Sequence, residues 1–342
     1  DFVVNGAFKS ADNRYRAVLG ISYFNLRNEE NGGITSDSVF EQNTNSNREF
    51  IDVNLLQSSN HWKGFEVDLN HRYELMKNDS TSSKPYQPVV SHSFVSGRRS
   101  MVYRNAIDSE SNFYESIYQD SSNTYDSTNL LSVSNVLRFE LLRSDSAKVK
   151  VLNRLAVGAG HSYYRVSYDS SFVEHINNVF VVANADGEIF RNFNWRANGN
   201  FMVFGYNIWD LKVDGGVRYE VGQSRFDAFV DYNLYRPDYL TDNYSSNHFA
   251  WDNSWLQTQH LQTGLVYEQK RLRFSGKFSY HLIDNLVVFG EDRLPYQSTN
   301  VNQLLSLRLQ EHFRLRWFHI VLDGAVQWNM TGNEIRVPLA VG

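Results

Sequence analysis

Residues 272–282 read Leu272-Arg-Phe-Ser-Gly-Lys-Phe-Ser-Tyr-His-Leu282. One face of this segment carries Leu272, Phe274, Phe278, Tyr280 and Leu282, the other Arg273, Ser275, Lys277, Ser279 and His281. A strict period of two marks a strand with one apolar and one wet face. After a polar stretch to residue 300 the pattern resumes over 301–312, where Leu305, Leu307 and Leu309 oppose Ser306, Arg308 and Gln310. A tight connection at 313–316 leads to a third run. There Phe318, Ile320, Leu322, Val326 and Trp328 oppose His319, Asp323, Gln327 and Asn329. Long strands joined alternately by a loop and a tight turn, with aromatics closing the apolar faces, predict a transmembrane β-barrel.

The rest of the chain repeats this pattern. Strands are expected at 2–9, 14–27, 65–76, 91–104, 130–142, 149–168, 178–185, 188–204, 209–221, 225–235 and 254–267. Residues 209–221 alternate most cleanly: Trp209, Leu211, Val213, Val217, Tyr219 and Val221 oppose Asp210, Lys212, Asp214, Arg218 and Glu220. Tight turns are expected at 10–13, 144–148, 222–224 and 268–271, and at the Asp186-Gly187 dipeptide, a strong hairpin signal. Longer connections are expected at 28–64, 105–129, 169–177, 237–253 and 283–300, with 50–56 either a loop strand or a short barrel strand. Two connections break the alternation, a short one at 205–208 and a long one at 77–90. All five prolines, Pro85, Pro88, Pro237, Pro295 and Pro338, fall outside the expected strands, as residues that cannot donate to a ladder should. The result is all-β: an antiparallel up-and-down barrel of about fourteen strands, most of about 11 to 15 residues, in a single domain over 1–342. Membrane strands need roughly 9–11 residues plus overhang, whereas strands of soluble proteins run to about 5–6.

Composition agrees. Aromatic residues make up 15% of the chain, yet the mean hydropathy is negative. That pairing suits strands that alternate lipid-facing and water-facing residues. No apolar run approaches the roughly 20 residues a membrane helix requires. Cysteine is absent, which removes disulfides and thiolate metal sites. A net charge of −5 argues against a nucleic-acid partner.

At YRPDYL from Tyr235 and YSSNHFAWDN from Tyr244 the chain resembles the β-barrel porins of Bacteroidetes outer membranes. The segments 280–289 and 302–320 and the loop Asn28-Glu-Glu-Asn-Gly-Gly-Ile34 are similar to the same family, so the likeness spans most of the chain. These are loop and hairpin motifs without chemistry of their own. The resemblance implies an integral outer-membrane channel. It also implies further strands beyond residue 342. Both ends are expected on the outer side, which suggests part of a barrel of about sixteen or more strands with β-edges open at 2–9 and 317–330.

Chemistry is sparse. Ser246-Asn247-His248 brings a serine and a histidine two residues apart, but adjacent residues of an extended chain face apart and loop packing explains them better. His260, His281, His312 and His319 lie on wet faces, and four imidazoles hold a metal only if register unites them. The wet faces supply the expected lumen lining: Glu66, Asp68, Arg72, Arg138, Arg154, Arg196, Asp210, Lys212, Asp214, Arg218, Glu220, Asp227, Asp231, Arg273, Lys277 and Arg308. Both signs are present in similar number, so strong ion selectivity is not indicated. Trp195, Trp209, Tyr219, Trp255, Tyr267 and Trp328 are expected to form aromatic girdles at the bilayer interfaces. The function expected is a porin-like channel for passive diffusion of small hydrophilic solutes, without catalytic residues, metal or cofactor. Its partners would be the outer-membrane bilayer with its lipopolysaccharide, the solutes, and proteins at the long outer loops. The alternatives are a docking barrel with a closed lumen, part of an outer-membrane complex, and a barrel hydrolase.

Overall fold

The computed structural model describes residues 1–35, 52–76, 84–107, 113–144, 151–168, 172–331 and 340–341. The wall begins with β1 (Phe2–Lys9), β2 (Tyr15–Glu30), β3 (Ser58–Glu74), β4 (Tyr86–Ala106), β5 (Asn123–Arg143), β6 (Arg154–Tyr168), β7 (Phe172–Phe190), β8 (Phe193–Gly205), β9 (Leu211–Val221) and β10 (Ser224–Tyr235). A short helix, α1 (Tyr239–Asp242), and a small hairpin, β11 (Asn243–Ser245) with β12 (Ala250–Asp252), interrupt it. It continues with β13 (Thr258–Gln269) and β14 (Phe274–Asp284). A second small hairpin, β15 (Val287–Phe289) and β16 (Pro295–Gln297), precedes β17 (Asn302–Leu315), β18 (Phe318–Asn329) and the two-residue β19 (Ala340–Val341). Apart from the two hairpins, every strand joins one antiparallel sheet in sequence order. This is the up-and-down meander of a β-barrel, with fourteen long strands as expected. No pairing joins β1 to β18 among the described residues. β18, expected as an open edge, is bonded on its far side to β19 through Gly324↔Val341 and Ala325↔Ala340.

Several boundaries differ from expectation. The hairpin after β7 turns at Arg191-Asn192, with Asn192 at φ 68°, not at Asp186-Gly187, which lie inside the strand. Gly187 is needed there for space: a Cβ would stand 1.7 Å from the Val151 carbonyl oxygen. Residues 172–177 and 123–129, expected as loop, extend β7 and β5, and residues 86–90, expected as connection, begin β4. Pro88 therefore lies inside a strand. The β3–β4 ladder ends at Glu74↔Val89, and Pro88 only accepts, from Leu75 N at 3.0 Å, so its missing N–H leaves no gap. Pro295 opens β16, the other position a strand tolerates. Of residues 50–56, the described part is loop with a single bridge, Ile34↔Val53. The turns at 10–13 and 222–223 form as expected, helped by positive φ at Asn13 and Gly222. Of the expected connections, residues 36–51, 77–83, 108–112, 145–148 and 169–171 fall outside the described residues, as does Pro338.

Register carries the faces around the sheet, because directly opposed residues share a face. Arg218 opposes Asp227, Asp227 opposes Val266, Val266 opposes Lys277 and Lys277 opposes Arg308. In the other direction Arg218 opposes Asn194, and the same face continues through Asp186, Arg154, Leu142 and Gln87. Val213, Val217, Phe278 and Leu322 stand on the opposite face and are exposed. The connection between β10 and β13 reaches across the polar face to Thr124 and Asp126 on β5, as a chord spans the inside of a curve. The polar face is therefore the concave one. Its residues Val166, Tyr168 and Ile176 on β6 and β7 are buried under Tyr239, Leu240 and Tyr244, which belong to the connection between β10 and β13.

An arginine on the convex face of a membrane barrel at mid-height costs about 2–4 kcal/mol. Val217→Arg is therefore expected to lose heat-resistant folded barrel on a semi-native gel after refolding into vesicles, whereas Arg218→Ser, one residue along on the concave face, folds as the parent does.

Candidate functional site

Cross-strand pairs line the concave wall. Arg154 bonds Glu140 at 2.9 Å, and Glu140 also accepts from Ser91. Arg218 and Arg225 share Asp227 at 2.7 and 3.0 Å. Arg16 and Arg72 flank Glu74 at 3.7 and 3.6 Å, Arg99 reaches Glu66 at 3.5 Å, and Arg308 pairs with Asp323. Arg138 donates to Ser93 at 3.2 Å. Lys277 stands over the Phe229 ring at 5.4 Å. An amide relay runs from Asn184 to Asn198 to Asp214 at 2.9 and 2.7 Å. By register Asp68, Arg196, Lys212, Glu220 and Asp231 join the same face. Arg273 does not: it sits in the turn before β14 at φ 55°, because β13 runs on to Gln269 and a four-residue turn follows. Asp210 also lies outside the wall strands, in the turn after β8.

The aromatics divide. Tyr219 and Tyr267 lie on the convex face near the tight-turn ends, in a row of ring neighbours. Phe190–Phe193, Phe193–Tyr219, Phe226–Tyr267 and Tyr267–Phe274 have centroids 4.8, 6.4, 4.9 and 6.2 Å apart. Trp195 is on the same face and donates to Val151 O. Trp328 ends the convex face of β18 at the loop end. Trp209 occupies a turn at φ 74° and lies beside Phe201. Trp255 lies in the loop after β12 and donates to Thr241 O at 3.0 Å. The members of this row that the sequence did not single out are the phenylalanines, Phe190, Phe193, Phe226 and Phe274, which a ranking by Trp and Tyr passes over.

The segment between β10 and β13 folds inward. At its base Asp242, 1% exposed, accepts from Tyr206 and from Arg236 Nη2 at 3.1 Å, while Arg236 stacks 4.0 Å from the Tyr206 ring centroid. Burial pushes the Tyr206 hydroxyl up and holds the Asp210 carboxyl above its usual range. Asp210 accepts from Arg236 N, Gln257 and Asn207, fastening both ends of the segment to the turn after β8. Trp251 donates to Leu240 O at 2.9 Å. The tip, Ser246 to Phe249, crosses to β5 and the residues before it. Asn247 donates through N to Asp126 at 2.7 Å and through Nδ2 to Asp120 O at 2.8 Å and Thr124 at 3.2 Å. Its Oδ1 accepts from Gln119 N and Asp120 N.

His248 bonds Thr124 Oγ1 at 2.6 Å through Nε2 and Ser116 O at 2.9 Å through Nδ1. Its ring stacks on Tyr114, centroids 3.7 Å apart and 5° off parallel. These partners assign Nδ1 as the donor and Nε2 as the acceptor from Thr124. Ser246 Oγ turns to Phe249 O at 3.2 Å, so Ser246 and His248 form no pair. The connection between β14 and β17 adds Arg293, which donates to Phe113 O at 3.1 Å. A cavity of about 790 Å³ bounded by Leu55, Ile107, Phe113, Tyr114, His248 and Arg293 lies beside the anchored tip. Of the four wet-face histidines, register unites two, His260 and His281 at 3.1 Å; His312 lies eight residues further down β17 than the partner of His281, Leu304, with His319 beyond it. The described residues contain no group of three or more histidine and carboxylate side chains placed to hold a metal.

The wall of paired charges, its convex apolar face and the loop folded across the concave side agree with the comparison of families. Residues 1–341 match the family described as Putative porin. No curated protein matches the chain. With all but the last residue covered by that match, the chain belongs to this porin family.

Proposed function

We propose that the chain is a passive outer-membrane channel for small hydrophilic solutes, in one barrel domain spanning the bilayer. The concave charged wall is its lumen, and segment 236–257 narrows it on the loop side. The observation that carries this reading is the anchoring of Asn247 and His248 to Thr124, Asp126 and Asp120 across the concave face. An inward loop fixed by buried bonds sets a constriction, and the wall selects by charge and size. Membership of a porin family supports a channel without enzymatic chemistry, and the bonds of Ser246 and His248 to other groups agree with it.

Single-channel recording in planar bilayers tests the reading: discrete, ohmic conductance steps are expected. Asn247→Ala removes four side-chain bonds and is expected to weaken docking of the segment by about 2–4 kcal/mol, so the steps grow larger and noisier. Silence from both proteins would favour a closed docking barrel instead. Selectivity follows from the wall pairs. Asp227→Asn leaves Arg218 without its carboxylate and Arg225 with Glu268 alone, so the reversal potential in a KCl gradient is expected to move toward anions.

A further inference from the structure

The convex face is not uniform. On β8, β9, β10, β13, β14, β17 and β18 its strand positions hold no lysine or arginine. On β2 to β6, toward the loop end, it carries Arg27, Lys63, Arg98, Arg104 and Arg165, all exposed. The register fixes their facing. Arg27 opposes His61, two residues from Lys63; Phe65 opposes Arg98, Arg98 opposes Leu131 and Leu131 opposes Arg165. The same row begins at Tyr23 and ends at His175, which holds Tyr163 at 2.7 Å. Glu29 is the single carboxylate on this face among the described residues of the same rows. Arg98 and Arg165 are two strands apart, so their Cα atoms are separated by about 10 Å, a gap that two long side chains span around a phosphate.

Their height is informative. Lys63 lies ten residues along β3 from Tyr73 at the tight-turn end, and Arg165 ten along β6 from Leu155. At about 3.3 Å per residue and a tilt near 40°, ten residues rise roughly 25 Å, the height of the apolar band of a membrane barrel. The cations therefore begin where hydrocarbon ends, on the side of the longer loops, which outer-membrane barrels turn outward. A surplus of cations at that level meets lipid headgroups.

We infer that the convex face of β3 to β6 binds the phosphorylated headgroup of an anionic glycolipid in the outer leaflet, held between Lys63, Arg98 and Arg165. The inference rests on the outer-membrane reading but not on conduction, so a silent channel leaves it standing. Arginine and lysine suit phosphate by charge, and arginine adds bidentate geometry. The apolar belt below, Leu69, Val67 and Phe94 among it, accepts the acyl chains.

Native mass spectrometry of the barrel released from nanodiscs, with bis-phosphorylated lipid A as probe, tests this. Wild type is expected to retain the glycolipid and to bind its dephosphorylated form more weakly. Lys63→Ser with Arg98→Ser and Arg165→Ser is expected to bind lipid A 10- to 100-fold more weakly, while Arg98→Lys with Arg165→Lys, which keeps the charge, retains most of the binding. These positions are exposed, and heat-modifiability on a gel verifies folding of each variant. Equal binding by the triple serine variant, or by the dephosphorylated glycolipid, overturns the inference. Displacement of the glycolipid by millimolar inorganic phosphate would mark a free-anion site and overturn it too. So would a changed oligomeric state with unchanged glycolipid binding, which would assign the basic face to a protein partner.

Discussion

An unbroken backbone ladder between sequence neighbours is the constraint on which the molecule rests. With a side-chain period of two, a slip of one residue would send every charge of the polar face to the apolar side. Arg218 and Val217 differ in fate only by parity, and that parity is passed from strand to strand by the register. Shifts between β7 and β8, at Val179/Phe180 and Glu188/Phe190, fall near the ends of their shared ladder, where the correction of facing is confined to a few residues.

The wall and the inward segment are held by different energies. Wall pairs such as Arg218 with Asp227 are partly exposed, and such pairs contribute at most about 1 kcal/mol each. They keep that face of the sheet polar more than they hold it together. The tip of the inward segment is buried: Asn247 is 2% exposed and Thr124 likewise. Leaving either amide or hydroxyl without its partner would cost more than the bond itself contributes. The segment is therefore held in one place, whereas the charges beneath it can exchange partners.

The faces of the strands were legible wherever one side meets lipid, because there alternation is enforced. At the loop end it is not enforced. Residues 123–129 read as loop through their Ser, Asn, Asp and Thr, yet they prolong β5; above the bilayer both faces are wet and polar side chains suffice. The Asp186-Gly187 signal misled because it is local, while the glycine answers to Val151 on another connection. The anchoring of Asn247 could not be read at all, since its partners lie more than 120 residues away. The hairpin that presents it could have been: Tyr244 and Trp251 bracket a polar tip, and these rings now meet at 4.9 Å.

That distance along the chain has a consequence for assembly. Asn247 and Asp120 are 127 residues apart, and the strands from β5 to β10 must be aligned before the two can meet. Contacts of such long range form late, after the local hairpins have closed. The inward segment thus acts as a clasp that shuts only on a correctly ordered sheet. A chain stalled with β6 to β9 out of register would keep its tip exposed, marked as unfinished by the one element that has nowhere to dock.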